Sequence, residues 1–323
     1  KEGRDPKASN VLRGSAPQLL TVDGGPVKIR SGDVLLSRGF AYTSAAIARI
    51  GVDEGQFSHL AQIYINAPVG TELTVEQAMK DKRVFMIEAH IEVGSFVRGF
   101  AEYVADGNAR VLQFRPKVDA VRAHAAAKSV YNLVVSYQRK KMLEAGRTKL
   151  SVNDNPPYDF KMNNSDSSEI FCSEIVTIGY RSAGLKLPTF PTRLKRNGLT
   201  HRMEIQVSHS FAPTDMEIEP NFELKAEWRD LRKLPSLTRK DAVLSSMFRW
   251  MDDLGYDFQW DVASALKAEI GWTARRLDLG FSERLPKNMN RQVIAMTFAL
   301  DGTAAVLENE LIKYEQQKLK ATA

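Results

Sequence analysis

The sequence predicts an α+β protein: an antiparallel sheet or barrel packed on helices, followed by a helical C-terminal extension. Three observations carry this prediction. Between Asp33 and Phe114, short apolar stretches, several alternating with polar residues, recur at strand length. Helical patterns follow, over about Val118 to Leu143 and again from Cys172. From about Phe222 the apolar residues recur at helical spacing towards the C-terminus.

In chain order, residues 1–28 are polar, rich in Gly and Pro, and read as an arm. Asp33–Leu36 reads as a strand after Ser31-Gly32, and Tyr42–Ile50 as a short helix stopped by Gly51. Leu60–Ile65 alternates as a strand, and Val84–Ile87 and Ile91–Val97 read as a hairpin. Val111–Phe114 is a further strand, closed by Pro116. The long helix presents Val121, Ala125, Val130, Leu133, Val134 and Tyr137 on its apolar face. Ser151–Ser168 is loop-like and delivers the chain to the Cys172 helix, which stops near Gly184. Prolines 188, 191, 213 and 220 make 185–222 irregular, with one expected strand at Met203–Val207. Thr238 and Asp241 resemble a capping box before a helix with Val243, Leu244, Met247, Trp250, Met251 and Leu254 on one face, its Trp and Met residues expected in the core. Phe258, Val262, Leu266 and Ile270 mark a second helix, and about Asn288 to Lys318 a third. The expected units are a 1–28 arm, a 29–215 catalytic domain and a 216–323 helical extension.

A chain of 323 residues, 43% hydrophobic and 26% charged, has the composition of a globular protein with a large core. Its net charge of +6 favours an anionic surface such as a membrane or cell-wall polymer. The basic residues are scattered and lack interleaved aromatics, so no nucleic-acid partner is expected. The start at Lys1, without methionine, fits a removed export signal or a trimmed chain, and export to the cell envelope is the expectation.

The single cysteine, Cys172, cannot form an internal disulfide. It opens a helix, where the dipole lowers a thiol's pKa. An inert buried thiol is the competing reading. His59 opens a strand upstream, and Glu88 and His90, two apart on the next strand, face one side. These residue types suit nucleophilic catalysis: Cys172 as nucleophile, His59 as base, and Glu88, with His90 as the substitute, orienting the imidazole. The Cys172 backbone N–H contributes to an oxyanion hole. Tyr158 and Asp159 either line the cleft or pack the loop beneath it. No histidine pair at i, i+4 and no second cysteine occurs, so neither a metal nor any other cofactor is expected.

The strings Gly32-Asp33-Val34-Leu35-Leu36, Ser58-His59-Leu60-Ala61, Ile87-Glu88-Ala89 and Phe171-Cys172-Ser173-Glu174 occur in that order. Together they resemble the circularly permuted branch of the NlpC-type papain-like cysteine hydrolases, nearest to the YiiX/YebB-like group. Tyr158-Asp159-Phe160 adds to the likeness, which covers roughly residues 30–215. The resemblance implies a permuted papain-like fold with Cys172 as nucleophile, His59 as base and Glu88 as the polar third residue. It also implies cleavage of an amide bond in cell-wall-type peptides, or action on acyl groups in lipids. The C-terminal helices depart from compact members and put the substrate in doubt. Besides a peptide or lipid-like acyl hydrolase, a lipid acyltransferase and a non-catalytic binding or scaffold protein remain open, as does the oligomeric state.

Overall fold

The computed structural model describes residues 18–106, 108–163, 167–257, 262–277 and 291–321. Seven strands form one antiparallel sheet: β1 Gln18–Thr21, β2 Val34–Arg38, β3 His59–Ile65, β4 Val84–His90, β5 Gly94–Gly99, β6 Arg110–Pro116 and β7 Phe222–Arg229. Their order across the sheet is β1–β7–β6–β2–β3–β4–β5. The principal helices are α1 Tyr42–Ile47, α2 Ala120–Glu144, α3 Cys172–Ser182, α4 Leu234–Leu254, α5 Val262–Arg276 and α6 Arg291–Ala321. The protein is therefore α+β, with a large antiparallel sheet and helices packed on it.

Each sheet face has its own core, as period-2 alternation requires. Val34, Leu36, Leu60, Leu112 and Phe114 pack with Ala126 of α2 and Val176 and Tyr180 of α3. Leu35, Ala61, Ile63 and Met86 face the other way, where Phe100 and Tyr103 of the short helix Phe100–Ala105 join them. Helix α2 buries Ala123, Ala126, Ala127, Val130 and Val134, whereas Val121, expected on the apolar face, is 64% exposed. The alanine stripe wins because α3 approaches closely at Gly179, where an added Cβ would stand 2.9 Å from Val130.

Two strands of the sheet lie outside the expected 29–215 unit. β1 belongs to the expected arm, and β7 starts at Phe222, where a helical stretch was expected. Residues 222–229 read Phe-Glu-Leu-Lys-Ala-Glu-Trp-Arg, a strand alternation, and a register shift at Leu224/Ala226 inserts Lys225. The bulge flips the parity: Phe222 packs with the α3 side, whereas Ala226 and Trp228 turn to the opposite face. The strand expected at Met203–Val207 is absent; the short helix Gly198–Arg202 precedes it, and Thr192–Arg193 pairs with His209–Ser210.

Helix α4 begins at Leu234, one turn before the expected capping box. Pro235, in the first turn with its N–H already dispensable, favours the earlier start. Thr238 instead donates to the Leu234 carbonyl, and Asp241 accepts from Arg38 at 2.6 Å and Arg49 at 2.9 Å. The apolar residues that mark α5 in the sequence face outwards: Val262, Leu266 and Ile270 are 86%, 58% and 53% accessible. Small Ala268 is buried and Trp272 packs against the core from the same helix, which contacts α6. Phe258 and Trp260 lie outside the described residues. Trp250, expected in the core, is 43% exposed.

The C-terminal helices clasp α1. Tyr42 donates to Glu308 of α6 at 2.5 Å, and Lys240 of α4 reaches the same carboxylate at 2.8 Å. Arg49, just past α1, donates to Ser245 of α4 at 2.8 Å.

Candidate active site

Cys172 is the first residue of α3, buried, with Phe171 at the N-cap. Its place is set by the preceding loop. The Ile170 N–H donates to the Pro157 carbonyl and the Ser95 N–H to the Pro156 carbonyl, both at 2.9 Å, so the loop is bound to α3's approach and to β5. Gly94 turns into β5 with φ +76°, and a side chain there would collide with the Pro156 carbonyl. Glu174 Oε2 accepts the Phe171 N–H at 3.4 Å and brings negative charge to the first turn.

His59 opens β3 and shares a cavity wall with Cys172, whose thiol donates to the carbonyl of the preceding Ser58 at 4.0 Å. His59 Nε2 donates to Glu88 Oε1 at 2.9 Å, which leaves Nδ1 as the nitrogen for the sulfur. Glu88 is fully buried on β4. His90 Nε2 approaches the same Oε1 at 3.3 Å, so both histidines converge on one carboxylate oxygen. Arg98 of β5 donates to the other oxygen at 2.5 Å and pairs with Asp106, also at 2.5 Å.

The electrostatics follow from these contacts. Burial pushes the Cys172 thiol up, but the His59 hydrogen bond and charge, the Leu60 N–H and Ser173 outweigh it, and the pKa falls below 9.0. Burial pulls His59 down, yet hydrogen bonds to Cys172 and Glu88 and their charges raise it to about 9. Both shifts favour a thiolate–imidazolium pair. Burial opposes the Glu88 charge, but the two histidines hold the carboxyl well below the usual range.

Tyr158 is buried and lines the same cavity. Burial, followed by the Cys172 charge, holds its hydroxyl protonated far above the ordinary range, so it is a standing donor. Asp159 turns away into the loop, accepting the Lys161 N–H at 2.8 Å and the Asn163 N–H at 2.6 Å. The cavity holds about 290 Å³ and includes Cys172, His59, Glu88, His90 and Tyr158 in its walls. Helix α1 supplies another wall through Thr43, Ser44 and Ile47.

Sequence reasoning missed Arg98 and Tyr103. A signal existed for Arg98: in the hairpin register Glu88 faces Phe96, which puts Arg98 on the diagonal, within reach of a long side chain. Nor did linear spacing reveal that His59, Glu88 and His90 bring ligand-type atoms within 4.8 Å of one another. That set could hold a divalent ion. Arg98 already supplies positive charge to the carboxylate, and both Glu88 oxygens are engaged.

Fold and site thus define an α+β protein with a buried thiol and a carboxylate-held histidine in one cavity. No family model matches the chain. No curated protein matches it. Over 60% of this chain and 95% of the other, it is similar to the structure of metalloprotein YiiX from Escherichia coli O157:H7, DUF1105, with 15% identity and a TM-score of 0.39.

Proposed function

We propose that the protein is a cysteine hydrolase that cleaves an amide or ester through a Cys172 acyl-enzyme. The observation that carries this reading is the placement of Cys172 and His59 in the walls of one cavity, with His59 hydrogen-bonded to the buried Glu88 at 2.9 Å. The Cys172 thiolate attacks the substrate carbonyl and forms a thioester. The His59 imidazolium gives its proton to the leaving amine or alcohol. Neutral His59 then takes a proton from water, which attacks the thioester and restores the thiol. Glu88 holds the ring and balances its charge, while His90 and Arg98 position Glu88. First-turn N–H groups of α3 and the Tyr158 hydroxyl are the candidate donors to the oxyanion. The chain order, histidine strand before cysteine helix, supports a permuted papain-like arrangement.

The test is Cys172→Ala against a panel of activated esters and amides, with Cys172 alkylation by iodoacetamide in parallel. Loss of turnover with an unchanged melting temperature is expected. Alkylation of Cys172 no faster than that of a free thiol at neutral pH would sink the reading.

A further inference from the structure

A second cavity lies on the sheet face opposite α2 and α3, outside the Cys172 site. It holds about 280 Å³ and is walled mostly by apolar side chains, among them Ile29, Leu35, Phe100, Ala226 and Trp228. Tyr103 and Asn108 line both this cavity and the one with Cys172, and stand between the two. Leu19, Met79 and Val104, all exposed, form its mouth.

One polar side chain is out of place on this face. In the sheet register Gln113 of β6 lies between Leu35 of β2 and Ala226 of β7, both apolar wall residues. Gln113 lines the cavity as well and is only 4% exposed. Its Nε2 donates to the Lys28 carbonyl at 2.8 Å and to Asp33 Oδ2 at 2.7 Å. Its Oε1 is buried and has no hydrogen-bond partner among the described residues. The amide cannot simply turn over, because its oxygen would then face two acceptors, the Lys28 carbonyl and the Asp33 carboxylate. Buried acceptors are rarely left unpaired, and one in the wall of an apolar cavity marks where a guest's donor belongs.

We propose that this cavity is a binding site, separate from Cys172, for a neutral two-ring aromatic molecule that donates one hydrogen bond to Gln113 Oε1. An apolar cavity of about 150 Å³ takes one benzene ring, so the present one has room for about two fused rings. Phe100 and Trp228 offer aromatic surface to such a guest. Among the described residues no charged side chain lines the cavity, so a charged guest would be buried without a counter-ion. The chemical class is thus an indole or a fused-ring phenol. The site stands independently of the thiol-hydrolase reading.

The experiment titrates the full chain with indole and with benzofuran in a calorimeter. Benzofuran keeps the outline of indole and replaces the N–H by an oxygen. Indole is expected to bind one-to-one, and benzofuran about tenfold more weakly, the worth of one hydrogen bond to a buried acceptor. Val104→Trp at the mouth and Ala226→Phe in the floor fill the space from two sides. Each is expected to weaken indole about tenfold, the equivalent of excluding two methylenes. Gln113→Met is expected to make the two compounds bind alike. Cys172→Ala is expected to bind indole as the unaltered protein does. Failure of indole to bind at millimolar concentration overturns the site. Benzofuran binding as tightly as indole overturns the role of Gln113, and that comparison needs no variant to fold. Indole binding unmoved by both cavity-filling changes, or lost in Cys172→Ala, puts the guest elsewhere and overturns the proposal.

Discussion

Arg98 Nε donates to Glu88 Oε2 at 2.5 Å, so the carboxylate between two histidines is also pinned from the neighbouring strand. Glu88 is wholly buried, and its charge is sustained by three cationic or hydrogen-bonding partners. Removing one partner from a buried ion network costs about 3 kcal/mol or more. Arg98→Met is therefore expected to lower the melting temperature and to let Glu88 move. Arg98→Lys is expected to restore part of the stability but little turnover, because lysine lacks the planar fork. A kcat loss of at least about tenfold in Arg98→Met, with Cys172 still alkylated, would separate positioning from mere folding.

The pH dependence has a definite sign. Thiolate forms below the ordinary thiol value of 9.0, so Cys172 alkylation by iodoacetamide is expected to be fast at neutral pH. Turnover needs the protonated ring and is expected to fall as pH rises through about 9, where His59 loses its proton. Glu88→Gln removes a cause of that elevation, so the alkaline limb should move towards lower pH. Stability moves with it. The His59 contribution is full below its ordinary value of 6.5 and is lost as pH rises through about 9. Denaturant melts at a series of pH values check this.

Turnover is expected to be indifferent to chelators, since Arg98 and the two histidines already meet the charge of Glu88. Added zinc is expected to inhibit instead by recruiting His59 and His90. Activation by zinc after chelation would count against the acyl-enzyme reading.

Asp241 neutralises Arg38 and Arg49, whose side chains are 2% and 7% exposed. Asp241→Asn leaves two buried guanidinium groups with weaker partners, and a loss of about 3 kcal/mol in a denaturant titration is expected. Because Arg49 follows α1, which walls the site, KM is expected to rise before kcat falls.

Much of the site was legible because its residues sit at element ends, where strand and helix signals are sharp. His59 begins a strand, Cys172 begins a helix, and Glu88 and His90 obey the two-residue period. Asp159 was ambiguous because a carboxylate in a loop serves substrate or backbone equally well, and here two backbone N–H groups take it. Arg98 depended on hairpin register, which the turn at Gly94 sets and local composition does not. β7 carries its own alternation, but at eight residues it adjoins the much longer run of helical spacing that follows. The Asp241 cap failed for a tertiary reason: two arginines far upstream claim the carboxylate.

The place of β7 has a consequence for assembly during synthesis. It fills the slot between β1 and β6, with Gln18 beside Arg229, so the first described strand waits for nearly the last part of the sheet. Until residue 229 leaves the ribosome, β6 offers a bare edge to any passing strand. Nascent chains cut at residue 215 are accordingly expected to aggregate, and those extended past residue 229 to gain protease resistance in a single step.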